Sequence, residues 1–247
     1  GGWKGFKKFT ITNKENESAM ITSFYLEPTD GKTIVIGKAG QYINMMLDVP
    51  ERGTVFRNYS LSSSPNSNYY RISVKREENG LVSNYLHDIL SQGDKIKLSP
   101  PYGSLYLKET DKPVVLISGG VGITPMISIL QDAVKQQLTR QIYFIHGARN
   151  KNTHAFKDDV VTLTAGHDNV NHHFFYSRNS VKSADTEPGR ITMNSVKDIA
   201  SHQKDAEFYL CGPAQMMKDL YRELINWGVT PNNIVYEYFG PKRDIIG

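Results

Sequence analysis

The sequence predicts two tandem domains: an antiparallel β-barrel over residues 1–110 and an α/β domain with a parallel sheet, suited to nucleotide binding, over residues 111–247. Three observations carry this. Residues 1 to about 108 are short β-forming runs punctuated by Gly, Pro, Asn and Asp, the signature of an antiparallel barrel or sandwich. From about residue 112 strand and helix patterns alternate, which argues a parallel sheet with helices on both faces. A length of 247 residues suits two such units.

In chain order, the β runs of the first half are "FTITNKE", "AMITSFYLEP", "GQYINMMLDV", "RNYSLSS", "YYRISVKRE" and "DKIKLSPP". One helix interrupts them over residues 81–90, where Leu81, Tyr85, Leu86 and Ile89 recur at helical spacing. The second half opens on "PVVLISGG", a continuous apolar run of the buried parallel kind. There follow an amphipathic helix "PMISILQDAVKQQL", the strand "QIYFIHGA", a helix "FKDDVVTLT", the strand "HHFFYS" and a short helix near "SVKDIA". The strand "EFYLCGP", the helix "AQMMKDLYRELINWG" and the strand "NIVYEYFG" complete the series.

Composition excludes several classes. Hydrophobic residues are 39% and charged residues 22%, an ordinary globular balance with a net charge of +4. The basic residues are scattered rather than gathered into the stripe of a nucleic-acid binder. No apolar run is long enough to span a bilayer, and "GGWKGFKKF" lacks the apolar region of a secretory signal. The single cysteine, Cys211, allows no intrachain disulfide, which suits a reducing cytoplasm. It also excludes a cysteine-bound iron–sulfur cluster, and the adjacent His172 and His173 point to opposite strand faces, so no metal site is expected.

Four stretches can carry chemistry. "SGGVGITP", residues 118–125, ends a strand in a turn of Gly119, Gly120, Val121, Gly122 and Ile123, with Thr124 as expected N-cap and Pro125 as first helical residue. Such a helix start suits a pyrophosphate, but Pro125 stands where the dinucleotide fingerprint has its third glycine, so a plain tight turn is the other reading. "LCGP" repeats the device: Gly212 turns, Pro213 starts a helix and Cys211 lies at the carboxyl edge of the sheet, as a site residue or a core cysteine. "NGLVSNYLH" places Gly80 and Ser83 at an anion-ready helix N-terminus. "FRNYSLSS" offers Arg57 for a phosphate, Tyr59 for a flat ring and the Ser60 hydroxyl for a ring nitrogen. Near the end, Glu237 sits among Tyr236, Tyr238 and Phe239, and is either engaged there or an edge residue facing water.

Together "RNYSLSS", "GLVSNYLH", "GGVGITPM" and "YLCGP" resemble the flavin and nicotinamide motifs of the ferredoxin–NADP reductase superfamily. "GGW", "AGQY", "VKREENGLVSNYLH" and "YEYFGP" resemble more particularly the reductase part of bacterial flavohaemoglobins, over essentially all 247 residues. The resemblance implies a ferredoxin–NADP reductase-like fold and an FAD-dependent NAD(P)H oxidoreductase. It implies that Arg57 holds FAD phosphate, that Asn58 contributes through its backbone, that Tyr59 packs on the flavin and that Ser60 touches its reactive edge. Tyr42 is carried over as a further flavin contact, with Gly120 through Pro125, Cys211, Gly212 and Pro213 toward the nicotinamide dinucleotide. Tyr238, Phe239, Gly240 and Pro241 would close over the flavin's other side, and Glu237 would tune electron flow. The catalytic pair is thus Ser60 and Glu237.

In that family a globin domain binds haem, turns nitric oxide and O₂ into nitrate and is fed by the reductase. These residues contain no globin helices, so haem and that activity are expected only with a globin partner, in cis or in trans. The rival readings are a stand-alone flavin or ferric reductase, an oxygenase reductase component, and a non-catalytic nucleotide sensor. His146 and Arg149 end one strand, and Ser177 and Arg178 follow the next. With no acidic residue there for the ribose 2′-OH, NADPH is expected to be tolerated beside NADH.

Overall fold

A computed structural model describes residues 2–238 of the chain. Its first half consists of β1 (Lys7–Asn16), β2 (Ile21–Pro28), β3 (Tyr42–Val49), β4 (Gly53–Ser60), β5 (Tyr70–Lys75) and β6 (Lys95–Leu98), with α1 (Leu81–Asp88) before the last strand. The strands form one antiparallel sheet in the order β4-β3-β6-β1-β2-β5. Just past β4, Leu61 pairs with Ile72 of β5, and Ser62 N–H donates to Arg71 O at 2.8 Å. The two outer strands therefore meet, and the sheet curls into a barrel. Period-two alternation sends Phe9, Ile11, Phe24, Leu26, Ile43, Met45 and Ile72 inward, all fully buried.

α1 closes one end of the barrel and stops at Asp88, short of the sequence expectation, leaving Ile89 61% exposed. Its C-terminal carbonyls have a dedicated donor: Lys14 Nζ gives hydrogen bonds to Leu86 O (3.2 Å), His87 O (3.0 Å) and Leu90 O (2.7 Å). A cation at a helix C-terminus also complements the helix dipole.

The second half consists of β7 (Val114–Gly119), α2 (Ile123–Lys135), β8 (Ile142–Ala148), α3 (Lys157–Thr164) and β9 (Val170–Tyr176). β10 (Thr186–Pro188), α4 (Met193–Ile199), β11 (Glu207–Cys211), α5 (Ala214–Trp227) and β12 (Ile234–Glu237) follow. All neighbouring strands are parallel, in the order β10-β9-β8-β7-β11-β12. The chain winds outward from β7 one way and from β11 the other. The carboxyl ends of these two strands are thus the topological switch point, where open α/β sheets bind ligands.

Two helix starts differ from expectation. A 3₁₀ turn over Gly120–Gly122 feeds α2 directly, so Gly122 is the cap and Ile123 the first helical residue. Thr124 is therefore not the N-cap and Pro125 not the first position; the Thr124 hydroxyl donates to Val121 O at 3.1 Å instead. The 3₁₀ turn supplies the bend that a capping side chain would otherwise mark. Pro213 caps α5 and Ala214 begins it. The three-residue β10 was not expected; it is too short to show alternation.

The barrel's outer face along β2 and β5 is covered by the second half. The Arg71 guanidinium lies 5.0 Å from the Phe156 ring centre, Ser128 Oγ donates to Ser63 O at 2.7 Å, and Ala19 N–H donates to Asn152 O at 2.9 Å. Arg140 clamps the connector between the sheets. Its guanidinium donates to Lys108 O and Lys112 O, both at 2.8 Å, and pairs with buried Glu207 at 2.5 Å.

Candidate functional site

A cleft of about 600 Å³ opens where the barrel meets the glycine turn after β7. β4 stands at one end of the strand row, and its last residues Arg57, Asn58, Tyr59 and Ser60 all border the cleft. Tyr42, directly across from Ser60, borders it too. Gly80 and Ser83 bring the start of α1 to one side, Val121 and Thr124 bring the start of α2 to another, and Glu237 and Tyr238 arrive from the end of β12. Segments nearly two hundred residues apart in sequence thus converge.

Ser60 is the most informative of them. It is 3% exposed, and its Oγ is buried with no hydrogen-bond partner among the described residues. An unpaired buried hydroxyl costs free energy, so it marks a place prepared for a ligand atom. Beside it the Tyr59 phenol is pushed up to about 12, chiefly by burial, and stays neutral. Arg57 is exposed toward the cleft, and its guanidinium is held by the neighbouring Phe56 O at 2.8 Å. The Asn58 side chain is engaged within the protein: Oδ1 accepts from Asn44 Nδ2 at 2.7 Å and from the Tyr102 hydroxyl at 2.9 Å.

At α1, Gly80 is required by space. A Cβ there would lie 2.6 Å from Ser83 Oγ and 2.8 Å from Glu77 Cβ. Ser83 Oγ accepts the Glu77 N–H at 3.0 Å, which holds the turn and leaves its own proton to donate. Glu237 is half-buried, not a free edge residue. It pairs in register with Cys211, and its carboxylate, after burial, contributes to raising the Tyr42 and Tyr102 phenols.

The remaining glycine-turn residues lie behind the cleft. Gly122, Ile123 and Pro125 are buried, and a Cβ on Gly122 would sit 2.1 Å from Cys211 O. A Cβ on Gly212 would meet Gly119 N at 3.1 Å. The two strand ends are therefore packed backbone to backbone, which only glycine allows. Cys211 is completely buried, and burial pushes its thiol up, so the side chain does not reach the cleft. Phe239, Gly240 and Pro241 lie outside the described residues.

His146, near the end of β8, is closed off from any ribose phosphate: it is 1% exposed, with Nδ1 2.8 Å from Ser118 Oγ. Its ring lies 5.0 Å from that of His154, whose Nδ1 meets the Tyr176 hydroxyl at 2.7 Å, and both Nε2 atoms are buried without a hydrogen-bond partner among the described residues. Arg149 and Arg178 are exposed and adjacent, joined by Arg178 N–H donating to Arg149 O at 3.0 Å. Sequence reasoning missed Asn44, Phe56, Ser73, Lys75, Glu77, Leu81 and Val82 along the cleft. For Ser73 and Lys75 the signal was there: they alternate with core Ile72 and Val74 in "RISVK". Among the described residues no group of three or more His, Cys, Asp and Glu could hold a metal ion, and no helix is long and apolar enough to cross a membrane.

Residues 8–106 match the family described as Oxidoreductase FAD-binding domain, and residues 116–222 the Oxidoreductase NAD-binding domain. The chain is 45% identical over 242 residues to a flavohemoprotein of Pseudomonas aeruginosa, covering 98% of this chain and 61% of that protein. A flavohemoprotein of Bacillus cereus is 42% identical over 256 residues, 99% of this chain and 63% of that one. The chain thus spans about three fifths of the length of these curated relatives. Among solved structures, the flavohem-like FAD/NAD-binding domain of nitric oxide dioxygenase from Vibrio cholerae aligns with a TM-score of 0.85 and 35% identity, over 95% of this chain and 99% of that one. A flavohemoglobin from Malassezia yamatoensis with bound FAD and heme shares the fold at a TM-score of 0.85 and 24% identity, over 95% of this chain and 60% of that one.

Proposed function

Because this chain belongs to the flavohaemoglobin reductase family, with that family's FAD- and NAD-binding halves, we propose that it passes electrons from NAD(P)H through FAD to a haem held by a globin partner. FAD, when bound, supplies the acceptor for a nicotinamide hydride and the donor of single electrons to haem. The observation that carries the reading is the unpartnered, buried Ser60 hydroxyl in a cleft shared by the barrel and the glycine turn. The other cleft residues fit the same group. Arg57 and the N-terminus of α1 offer positive charge and N–H donors to a pyrophosphate. Tyr59 offers a neutral ring for a flat cofactor to pack on.

The remaining residues orient and shield. Val121 and Thr124, held rigidly by the packing of Gly122 on Cys211, align the nicotinamide with the reactive edge near Ser60. Glu237, close to Tyr42 and Tyr102, places negative charge beside that edge and favours export of electrons. Arg149 and Arg178 offer cationic groups to a 2′-phosphate, so NADPH is tolerated beside NADH. We place the domain boundary near residue 110, in the connector that Arg140 holds through Lys108 O and Thr110 Oγ1.

The test is to load the chain with FAD and supply NADH and ferricyanide. Turnover is expected without haem, and nitric oxide consumption only after a haem-bearing globin is added. Arg57→Ala should weaken FAD binding by ~1.5–3 kcal/mol, the worth of hydrogen bonds to a charged group. A chain that binds FAD but cannot reduce ferricyanide, or an Arg57→Ala chain of parental affinity, would overturn the respective part.

A further inference from the structure

Tyr102 stands just outside the cleft yet touches two residues that border it, Tyr42 and Asn58. It follows β6 and faces the start of β3. Tyr42 N–H donates to Tyr102 O and Tyr102 N–H donates to Tyr42 O, both at 2.9 Å. The two rings lie 4.3 Å apart, tilted by 59°. Gly103 makes room for this: its φ is +117°, and a Cβ there would lie 2.6 Å from the Tyr42 ring. Gln41 Nε2 donates to Gly103 O at 3.1 Å and ties the segment down.

The Tyr102 hydroxyl reaches across to β4. It and Asn44 Nδ2 both donate to Asn58 Oδ1, at 2.9 Å and 2.7 Å. Asn44 is held in turn by Ser99, whose Oγ accepts the Asn44 N–H at 2.8 Å and whose N–H donates to Asn44 O at 2.9 Å. An amide oxygen accepts through two lone pairs. Both are filled here, so the Asn58 carboxamide is fixed in one sense. Turned over, it would set its own Nδ2 against the Asn44 donor. Asn58 Nδ2 keeps both protons and meets no acceptor among the described residues, on a residue that borders the cleft.

We propose that Tyr102 is a positioning residue: it holds the Tyr42 ring and the Asn58 amide as one wall of the cleft, so that Asn58 Nδ2 donates to an oxygen of FAD. This rests on the flavin-site reading above. A surface asparagine loses rotamer freedom when it grips a ligand, and that loss weakens binding. Here two hydrogen bonds fix the amide before the cofactor arrives. Tyr102 is 40% exposed, and its phenol is raised by burial and then by the Glu237 charge, so it keeps the proton that it donates.

Fluorescence titration of FAD into the chain tests this as a double-mutant cycle. Tyr102→Phe keeps the ring against Tyr42 and removes only the hydroxyl. It should weaken FAD binding about 5-fold, the equivalent of one neutral hydrogen bond. Asn58→Ala should weaken it at least as much, and Tyr102→Phe added to Asn58→Ala should have no further effect. A merely structural loss would appear equally in both backgrounds. Tyr102→Ala should also alter the visible circular dichroism of the bound flavin, because Tyr42 loses its support, whereas Tyr102→Phe should leave that spectrum as in the parent. Should Tyr102→Ala fail to fold, the Tyr102→Phe cycle decides alone. Parental FAD affinity in Tyr102→Phe, or the same loss with and without the Asn58 amide, would overturn the role of Asn58. An unchanged dichroism in a folded Tyr102→Ala chain would overturn the hold on Tyr42. A parent chain that takes up no FAD would instead fail the flavin-site reading, and this inference with it.

Discussion

Single atoms decide much of the site. Ser60 Oγ has no hydrogen-bond partner among the described residues, so Ser60→Ala should leave the flavin-free chain as stable as the parent or slightly more so. The same variant should bind FAD more weakly by ~1 kcal/mol, the net worth of a neutral hydrogen bond. Calorimetry of the flavin-free chain and flavin fluorescence titration would check the two halves of this. Gly122→Ala acts oppositely. Its Cβ would collide with the Cys211 carbonyl at 2.1 Å, and backbone cannot swing aside as a side chain can. A loss of ~1–3 kcal/mol on urea denaturation is expected, the usual cost of overpacking.

Elements aim these atoms. α1 presents its N-terminus to the cleft while Lys14 ties its C-terminus to β1. Lys14→Met should cost ~1.5–3 kcal/mol, the range for hydrogen bonds to a charged group. It should also speed amide exchange across α1, and FAD affinity should fall with it. Elements with strong periodicity were legible in the sequence: the core strands, the long helices α2 and α5, and the change of rhythm near residue 112. What was missed follows from physics that a pattern does not carry. The start of α2 lies in a 3₁₀ turn with no capping side chain, and Phe156 enters α3 through a left-handed backbone at φ 62°. In the site, Arg57, Tyr59 and Ser60 could be read from type and order, whereas Ser73, Asn44 and Glu77 reach the cleft only through barrel closure. Strand position alone does not say that a neighbouring imidazole and a serine enclose His146.

Across the whole molecule, buried titratable groups set opposing pH dependences. Burial lowers His154 from 6.5 to about 4 and lowers His146 well below 6.5, where its neighbour His154 adds to the effect. Both imidazoles prefer to be neutral when folded, so the chain should lose stability as pH falls from 6.5 toward 4. Glu17, raised from 4.5 to about 7, prefers to be protonated when folded, so its contribution is full below pH 4.5 and lost as pH rises through 7. Thermal midpoints of the flavin-free chain should show this: Glu17→Gln raises the midpoint at pH 8 and leaves it nearly unchanged at pH 4, while His154→Gln flattens the acid decline. The backbone contact between the two strand ends has a practical sequel. Cys211 is the chain's one thiol, sealed beneath the glycine turn. A maleimide added to the folded protein can attach only when that turn lifts away, so the labelling rate counts openings of the nucleotide half. NADH should slow that clock if it clamps the turn shut, giving a reporter of cofactor docking that needs neither colour nor turnover.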